Sequence, residues 1–467
     1  MLKYLVFALV SLVLLIGSIS GTSVSVAYPV MISSLNASLI LAGWVLSINQ
    51  LVSTAAMPIT GKASDAFGRK FTFMASLGIF TFGSLLCAMA PNIQLLILFR
   101  AMQAIGSGGF MPSAAGIVAD HFPRARQQAL GFFTSIFPIG QIIGPNLGGW
   151  MVQVFGWRSV FWINVPLGIV ALVASAALLR SGQRQQSHLD LTGAGLFTGA
   201  LSALMVGLSQ IGNRGSELSW VLAVALFAAT IALILLFIRH EGRAKDPIID
   251  LEILTKRPFM AANIYNFIYG ACVLGVMSFI PLYAVSIYGM STLESGFILT
   301  PRSIGMMLAS TVTSISLVRW GYRWPMLAGA IAAVLSLYLL GNESQGMGIL
   351  GIQLSSTVLM LVIMSIFGLG MGVAAPAANN ACIELMPDRV ATIVGIRGMF
   401  RQTGGAVSIA VTSLLLHNIG DMATGFRVAF FGFSLVMAIA IPFIFLMPRR
   451  GSQLPPEEKP HSQFMSR

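Results

Sequence analysis

The sequence predicts an all-α membrane protein, a polytopic bundle of transmembrane helices. Charged residues make up only 9% of the 467 residues, and hydrophobic residues make up 56%. A soluble protein carries about a quarter charged residues, so this composition excludes a typical soluble enzyme, a disulfide-rich secreted protein and a disordered chain. Apolar segments of about 20 residues, the length that a helix needs to cross a bilayer, follow one another along almost the whole chain.

We predict fourteen spans, which are too long to be strands of a membrane barrel. Their approximate ranges are 4–30, 39–60, 71–90, 95–119, 127–155, 159–179, 193–212, 219–239, 260–288, 296–318, 325–341, 352–378, 390–416 and 426–447. The first range is interpreted as a span and not as a signal peptide, because it is too long and no small-residue cleavage site follows it.

The distribution of Lys and Arg predicts that both termini are cytoplasmic. With the N-terminus inside, the inner loops and tails carry 20 of the 27 basic residues, the outer loops carry three and the spans hold four. This asymmetry follows the positive-inside rule and indicates a multi-pass protein of a bacterial-type cytoplasmic membrane. The net charge of +12 is spread over many loops, so no nucleic-acid-binding face is predicted.

An internal repeat divides the chain. A shift of 264 residues places seven Gly, Pro and acidic positions on equivalent residues, among them Gly106 on Gly370 and Pro112 on Pro376. We predict four regions: an N-terminal six-helix half (1–180), two inserted helices with a linker (181–258), a C-terminal six-helix half (259–447) and a disordered cytoplasmic tail (448–467). Repeated halves that rock about a midplane site are typical of secondary transporters.

The loop Gly61–Lys70 predicts a gate at the inner membrane face. Asp65 and Arg69 are spaced to form an ion pair, and Asp120 lies at the inner end of the fourth span. Glu384 matches Asp120 in the internal repeat. We predict that these four side chains form an ion-pair cluster that breaks when the inner side opens. A solvated loop whose charges only set the topology is the alternative.

Several segments resemble motifs of the major facilitator superfamily, and the resemblance extends over the whole chain. The loop Gly61–Lys70 resembles its loop motif, 98–106 its fourth-span motif and 140–149 its antiporter motif, whereas 156–168 and 189–193 are similar to patterns of its fourteen-span drug:proton antiporter branch. The resemblance implies a major-facilitator fold with 14 helices, two six-helix halves plus two inserted helices. It also implies a multidrug exporter of small lipophilic compounds that is driven by protons. We predict no cofactor and no metal.

The antiporter motif also has a direct physical interpretation. Gly140, Gly144, Gly148 and Gly149 recur at helical spacing around Pro145. Small residues along one stripe allow two helices to touch closely, and proline bends a helix. Both a helix that slides between states and a static, closely packed helix fit this pattern.

The first span departs from the family pattern, because Ser20 occupies the position of the usual acid. None of the 15 Asp and Glu residues falls in the middle of a predicted span. If transport is coupled to protons, the acids at span ends, chiefly Asp120 and Glu384, must carry the proton, or the substrate carries it.

The spans instead contain arginines: Arg100, Arg302, Arg397 and Arg401. A charge inside a bilayer is costly and faces a cavity or a partner, although an arginine near a span end, such as Arg302, can also snorkel to the surface. Arg397 and Arg401 share a helix face, and Arg401 is about 16 Å from the inner end. We predict an electropositive cavity that favours neutral or anionic amphipaths over lipophilic cations.

Polar residues of the spans are candidates for lining this cavity. They are Asn49, Gln50, Gln103, Gln141, Tyr265, Asn266 and Tyr269. Hydrogen bonding between helices without substrate contact is the alternative for each of them.

Three functions remain open at this point: a drug exporter, an uncoupled facilitator or lipid-moving transporter, and a non-transporting scaffold or sensor. All five histidines fall in predicted loops or the tail, so no buried His–acid pair, metal site or enzyme is predicted. The intact motifs favour a transporter over a scaffold.

Overall fold

A computed structural model describes most of the chain. The described residues are 2–122, 129, 132–133, 136–179, 190–211, 217–244, 256–342, 348–349, 352–353, 355–384 and 390–447. Nearly all of them are helical, which confirms the predicted all-α architecture.

The first half of the chain contains ten helices in the described part. They are α1 (Leu2–Ser34), α2 (Leu39–Phe67), α3 (Arg69–Met89), α4 (Ile93–Gly108), α5 (Phe110–His121), α6 (Ile136–Phe155), α7 (Ser159–Trp162), α8 (Asn164–Leu178), α9 (Leu191–Ile211) and α10 (Glu217–Glu241). We call the end of the bundle where α1 begins the near face, and the end where α1 finishes the far face.

The second half continues with seven helices and one small hairpin. They are α11 (Arg257–Gly270), α12 (Ile280–Tyr288), α13 (Thr292–Trp320), α14 (Arg323–Asn342), β1 (Gly348–Ile349), β2 (Ile352–Gln353), α15 (Ser356–Glu384), α16 (Val390–Ile419) and α17 (Met422–Ile444). Between α11 and α12 the helix continues as a π-helical turn (Ala271–Gly275) and a 3₁₀ turn (Val276–Phe279).

Helix occupies each of the fourteen predicted spans, and eleven helical segments of the described part are long and apolar enough to cross a membrane. Two details of the prediction are corrected. The fourth span is split into α4 and α5 at Gly109, and the twelfth starts at Ser356 instead of 352. Residues 352 and 353 belong to the antiparallel hairpin, in which Ile349 pairs with Ile352.

Side-chain caps define where several helices begin. Ser38, Asn92 and Asp421 each accept a hydrogen bond from a backbone N–H in the first turn of α2, α4 and α17. Ser291 and Glu294 form a capping box at the start of α13. All four helices begin at the far face, and a side-chain cap there satisfies N–H groups that the helix itself leaves unpaired.

Two long contacts join the first six-span set to the last. Helix α2 packs against α16, and α6 packs against α13. The two contacts are reciprocal, because α2 and α13 are each the second span of their set and α6 and α16 are each the fifth. Inserted helix α9 packs on α10 and also touches α2 and α16, so the inserted pair lies beside one of the two seams.

Candidate functional site

The two seams are tightly closed toward the far face. A Cβ atom built on Gly43 of α2 would lie 2.8 Å from Ser413 Cβ of α16. A Cβ atom built on Gly149 of α6 would lie 3.0 Å from Leu293 Cα of α13. Each of these residues lies within the far-face third of its helix. No side chain can therefore be added there without moving one helix set away from the other.

Polar contacts reinforce the α6–α13 seam. Asn146 Nδ2 donates to Thr300 Oγ1 at 2.7 Å, and Thr300 Oγ1 donates back to Asn146 Oδ1 at 3.0 Å. Ser303 Oγ lies 3.4 Å from the backbone oxygen of Gln141. These bonds cross between the two helix sets, so they must break if the sets separate at this level.

The predicted antiporter motif lies on two faces of α6. Gly140, Gly144 and Gly148 face α1, where Ser23 Oγ donates to the Gly144 carbonyl at 2.8 Å. Gly149 and the Pro145 carbonyl face α13. The motif thus brings α6 into backbone contact with α1 on one side and with the opposite helix set on the other.

Ser20, which replaces the usual acid of the first span, is buried in a neutral hydrogen bond. Asn164 Nδ2 of α8 donates to Ser20 Oγ at 3.0 Å and to the Val160 carbonyl at 3.1 Å. Neither group titrates in the physiological range. This position therefore holds α1 to α8 and cannot carry a proton.

Arg100 and Gln103 form a buried network inside the first helix set. Arg100 is 2% exposed. It donates from Nη1 to Gln103 Oε1 at 2.6 Å and from Nε to the Val45 carbonyl at 3.3 Å. Gln103 Nε2 donates to Ser84 Oγ at 2.7 Å, and Phe161 lies beneath the guanidinium at 5.7 Å. The structure brings these two predicted residues together as a link between α2, α3 and α4.

A cationic cluster lies in the last helix set, around Tyr269. The backbone beside Tyr269 contacts α16, because a Cβ atom built on Gly270 would lie 2.9 Å from Arg401 Cα, and Arg302, Arg397 and Arg401 interact electrostatically with the Tyr269 hydroxyl. Arg397 Nη1 also donates to Asn379 Oδ1. The ring of Tyr265 lies one helical turn before Tyr269, with 6.4 Å between the ring centroids. The cluster brings together five residues that were predicted from three helices: Tyr265 and Tyr269 of α11, Arg302 of α13, and Arg397 and Arg401 of α16.

The other polar residues that were predicted to line the cavity lie on α2, α6 and α11. Asn49 and Gln50 are half-buried on α2, and Gln141 is half-buried on α6. Asn266 is buried, and its Nδ2 donates to the Ala262 carbonyl within α11 at 2.8 Å.

At the near face, Arg69 forms an ion pair with Asp120 and donates to the Gly116 carbonyl. Its neighbour Lys70 donates from Nζ to the Leu179 carbonyl at 2.6 Å, at the end of α8. The side chains of Asp65 and Glu384, the other two predicted members of the gate, lie outside the described part of the structure. The observed pair joins α3 to α5 within one helix set.

One detail of the prediction is corrected: His240 lies in the last turn of α10 and not in a loop, and it pairs with the half-buried Asp190. His240 Nε2 lies 2.7 Å from Asp190 Oδ1, and the Asp190 side chain is 9% exposed. Glu241 is 3% exposed, and its carboxylate and that of Asp190 both line the space beside Gly193. Sequence reasoning missed this cluster because 50 residues separate Asp190 from His240 and only the pairing of α9 with α10 brings them together.

The reciprocal helix sets, the buried polar groups within the spans and the apolar outer surface define a polytopic membrane transporter. A family model described as Major Facilitator Superfamily matches residues 10–409, and a second match covers 302–466. The chain belongs to the major facilitator superfamily.

Similar proteins align with most of the chain. The sequence is 31% identical over 405 residues to the multidrug transporter protein MdtP of Bacillus subtilis, covering 86% of this chain and 73% of that protein. It is 28% identical to the methylenomycin A resistance protein of Bacillus subtilis, covering 96% of this chain and 95% of that protein. A solved bacterial homologue of the human lysosomal transporter Spinster has the same fold, with a TM-score of 0.71 and 15% identity over 95% of this chain and 96% of that one.

Proposed function

We propose that this chain exports small lipophilic or amphipathic compounds across a bacterial-type cytoplasmic membrane by alternating access. The observation that carries the proposal is the pair of reciprocal seams, α2–α16 and α6–α13, which are tight toward the far face. The relatives named for multidrug transport and methylenomycin A resistance support an exporter of small organic molecules.

In this proposal the near face is cytoplasmic, as the positive-inside rule predicts, and the molecule is closed to the outside. Opening outward requires the far-face contacts at Gly43 and Gly149 to separate while the near-face ends approach each other. The Asn146–Thr300 hydrogen bonds would then be exchanged for other partners, so the two states differ by a few polar contacts.

The proposed substrates are neutral or anionic, and not lipophilic cations. In the described spans, Arg100 and Arg302 are the buried charged residues of the interior, and both are positive. The buried acid of the described part, Glu241, lies at the end of α10. A cationic compound that crosses the middle of the bundle would be repelled by this charge, whereas a neutral or anionic one would not.

Proton-linked transport can be tested in proteoliposomes that contain a pH-sensitive dye. We expect that adding a neutral amphipathic compound changes the internal pH in vesicles with protein and has no effect in protein-free vesicles. Flux without a pH change would support an uncoupled facilitator, and no flux above protein-free vesicles would contradict export of such compounds.

The same vesicles can identify the proton-carrying acid. Because Ser20 cannot titrate, we expect either Asp120→Asn or Asp190→Asn to abolish the substrate-induced pH change. Ser20→Ala serves as the matched control and should retain it. If both acid variants keep the full pH change, the proton is carried elsewhere or by the substrate.

The near-face ion pair is expected to tune the conformational equilibrium. Arg69 and Asp120 are 31% and 55% exposed, and pairs as exposed as this contribute about 0–1 kcal/mol. We therefore expect Arg69→Gln to change the rate of substrate exchange, measured without a proton gradient, by up to about fivefold, and Asp120→Asn to add little to this change in the Arg69→Gln background. Lys3→Gln, which removes one positive charge from the same face, is the control. Fully additive effects of the two variants would contradict a functional pair.

A further inference from the structure

We propose that the cationic cluster is a binding site for an oxyanion, such as a carboxylate or sulfonate, carried by an amphipathic substrate. The site consists of Arg302, Arg401, Tyr265 and Tyr269. This inference rests on the proposed function, since it identifies the chemical class that the central site would accept.

Arg302, Arg401 and Tyr269 all lie at the depth of the middle of the membrane. Arg302 is ten residues into α13 from the far face, Arg401 is eleven residues into α16 from the near face, and Tyr269 is twelve residues into α11 from the near face. At about 1.5 Å per residue, all three lie roughly 15–18 Å from a membrane surface, which is half of a hydrocarbon core of about 30 Å.

Close backbone contacts join the four helices around the cluster in two pairs, α11 with α16 and α13 with α15, and α11 also packs against α15. A Cβ atom built on Gly270 of α11 would lie 2.9 Å from Arg401 Cα, and one built on Gly368 of α15 would lie 2.6 Å from Arg302 Cα. The backbone of Arg401 is therefore held next to Tyr269, and the backbone of Arg302 is held against α15.

The cluster has hydrogen-bond donors that are not used within the protein. In the part of the chain that the structure describes, Arg302 Nε, Arg401 Nε and the hydroxyls of Tyr265 and Tyr269 are buried and have no hydrogen-bond partner. Arg302 is 9% exposed, Tyr269 is 4% exposed and Tyr265 is fully buried. Within the same described residues, neither Arg302 nor Arg401 forms an ion pair with a carboxylate.

These unpaired donors and positive charges would be satisfied by an anion with several acceptor oxygens. A buried guanidinium without a counter-charge is strongly unfavourable, and burial without hydrogen bonds adds to the cost. Planar guanidinium groups bind carboxylates and related oxyanions through parallel hydrogen bonds, and tyrosine hydroxyls can donate to the remaining oxygens. A neutral ligand would satisfy the donors but not the charge.

The Arg401 side chain faces the interior of the bundle. Helix α16 has no exposed side chain between Ile396 and Leu416, and Arg401 is half-buried. The same helix forms the α2–α16 seam, so an anion bound here would contact a helix that lies between the two sets. Binding and rearrangement of the seam would thereby be linked.

The test is equilibrium binding to purified protein in phosphatidylcholine nanodiscs, with dansylaminoundecanoate and its primary amide as a matched pair of probes. We expect the carboxylate to bind at least about tenfold more tightly than the amide. Arg302→Gln and Arg401→Gln should each remove most of this preference, because each should weaken carboxylate binding much more than amide binding. Arg427→Gln, at an exposed position near the far end of α17, should keep the full preference.

Amide binding reports whether each variant is folded, so a variant that binds neither probe is a damaged protein. If Arg401→Gln is damaged, Arg401→Lys replaces it, and we expect this variant to have an intermediate preference for the carboxylate. Equal binding of carboxylate and amide by the unsubstituted protein, or a preference that survives in both Gln variants, would overturn the proposal. Adding phosphatidylglycerol to the nanodiscs separates two sources of the oxyanion. If phosphatidylglycerol competes with the carboxylate probe and this competition depends on Arg401, the natural oxyanion is a lipid headgroup. If phosphatidylglycerol does not compete, the oxyanion belongs to a small substrate.

The outcome is independent of the test for export. Transport of neutral compounds without carboxylate preference would remove only the oxyanion site. Carboxylate preference without any transport would leave the site in place and remove the proposed function.

Discussion

Replacing Gly148 with valine is expected to prevent stable assembly of α1 with α6 and to abolish transport. A Cβ atom at Gly148 would lie 2.7 Å from Ser23 Cβ and 2.9 Å from Ser23 Cα, so even the first added carbon overlaps the backbone of α1. The helices would have to separate, which would also lengthen the buried bond from Ser23 Oγ to the Gly144 carbonyl. Overpacking of this kind costs about 1–3 kcal/mol before the hydrogen bond is counted.

The measurement is the yield of monodisperse protein and its thermal stability in detergent, followed by transport in proteoliposomes. Gly21→Val is the matched control, because Gly21 lies on α1 with no neighbouring atom within 4 Å of its built Cβ. We expect this control to behave like the unsubstituted protein. A Gly148→Val variant that is as stable and active as the control would show that α1 and α6 do not need their observed contact.

The glycine stripe also illustrates what the sequence could predict. Small residues at helical spacing indicate a close helix contact, and the structure has one between α6 and α1. The partner could not be predicted, because the spacing on one helix says nothing about which helix lies opposite. The assignment of Gly149 to a different neighbour, α13, follows only from the three-dimensional arrangement.

The spans were predictable because lipid imposes a length and a composition on each of them. The breaks within them were not. The π-helical turn Ala271–Gly275 lies where α16 approaches closely, and a Cβ atom on Gly275 would collide with Ser408. Such a local change of helix type depends on tertiary contacts, which apolar periodicity does not report.

The site was predictable in part for a similar reason. Buried arginines without acids in the spans indicated an electropositive interior. The sequence could not separate Arg100, whose guanidinium is bonded within its own helix set, from Arg302 and Arg401, whose Nε atoms are not. Gln103 is three residues from Arg100 and was a visible hint, but Ser84 and the Val45 carbonyl come from other helices.

Substituting Gln103 with leucine is expected to destabilise the protein strongly. The substitution removes the acceptor at 2.6 Å from Arg100 Nη1 and leaves a guanidinium that is 2% exposed without its main partner. Loss of a buried hydrogen bond to a charged group costs about 1.5–3 kcal/mol. Ser84 loses one partner but still donates to the Phe80 carbonyl at 2.7 Å, so the penalty arises chiefly at Arg100.

A double-mutant cycle with Arg100→Met then separates a structural role from a transport role. Removing both partners leaves no unpaired buried group, so we expect the double variant to be considerably more stable than Gln103→Leu alone, because apolar replacement of a buried polar pair is nearly neutral. Gln141→Leu, a change of the same size at a half-buried position of α6, is the control and should have little effect on stability. Thermal stability and transport are measured on the four proteins of the cycle and on this control. If the stable double variant also transports, the role of Arg100 is to hold α2, α3 and α4 together. If the double variant is stable but inactive, the guanidinium is needed for transport. If the double variant loses as much stability as the two single variants combined, the proposed network is contradicted.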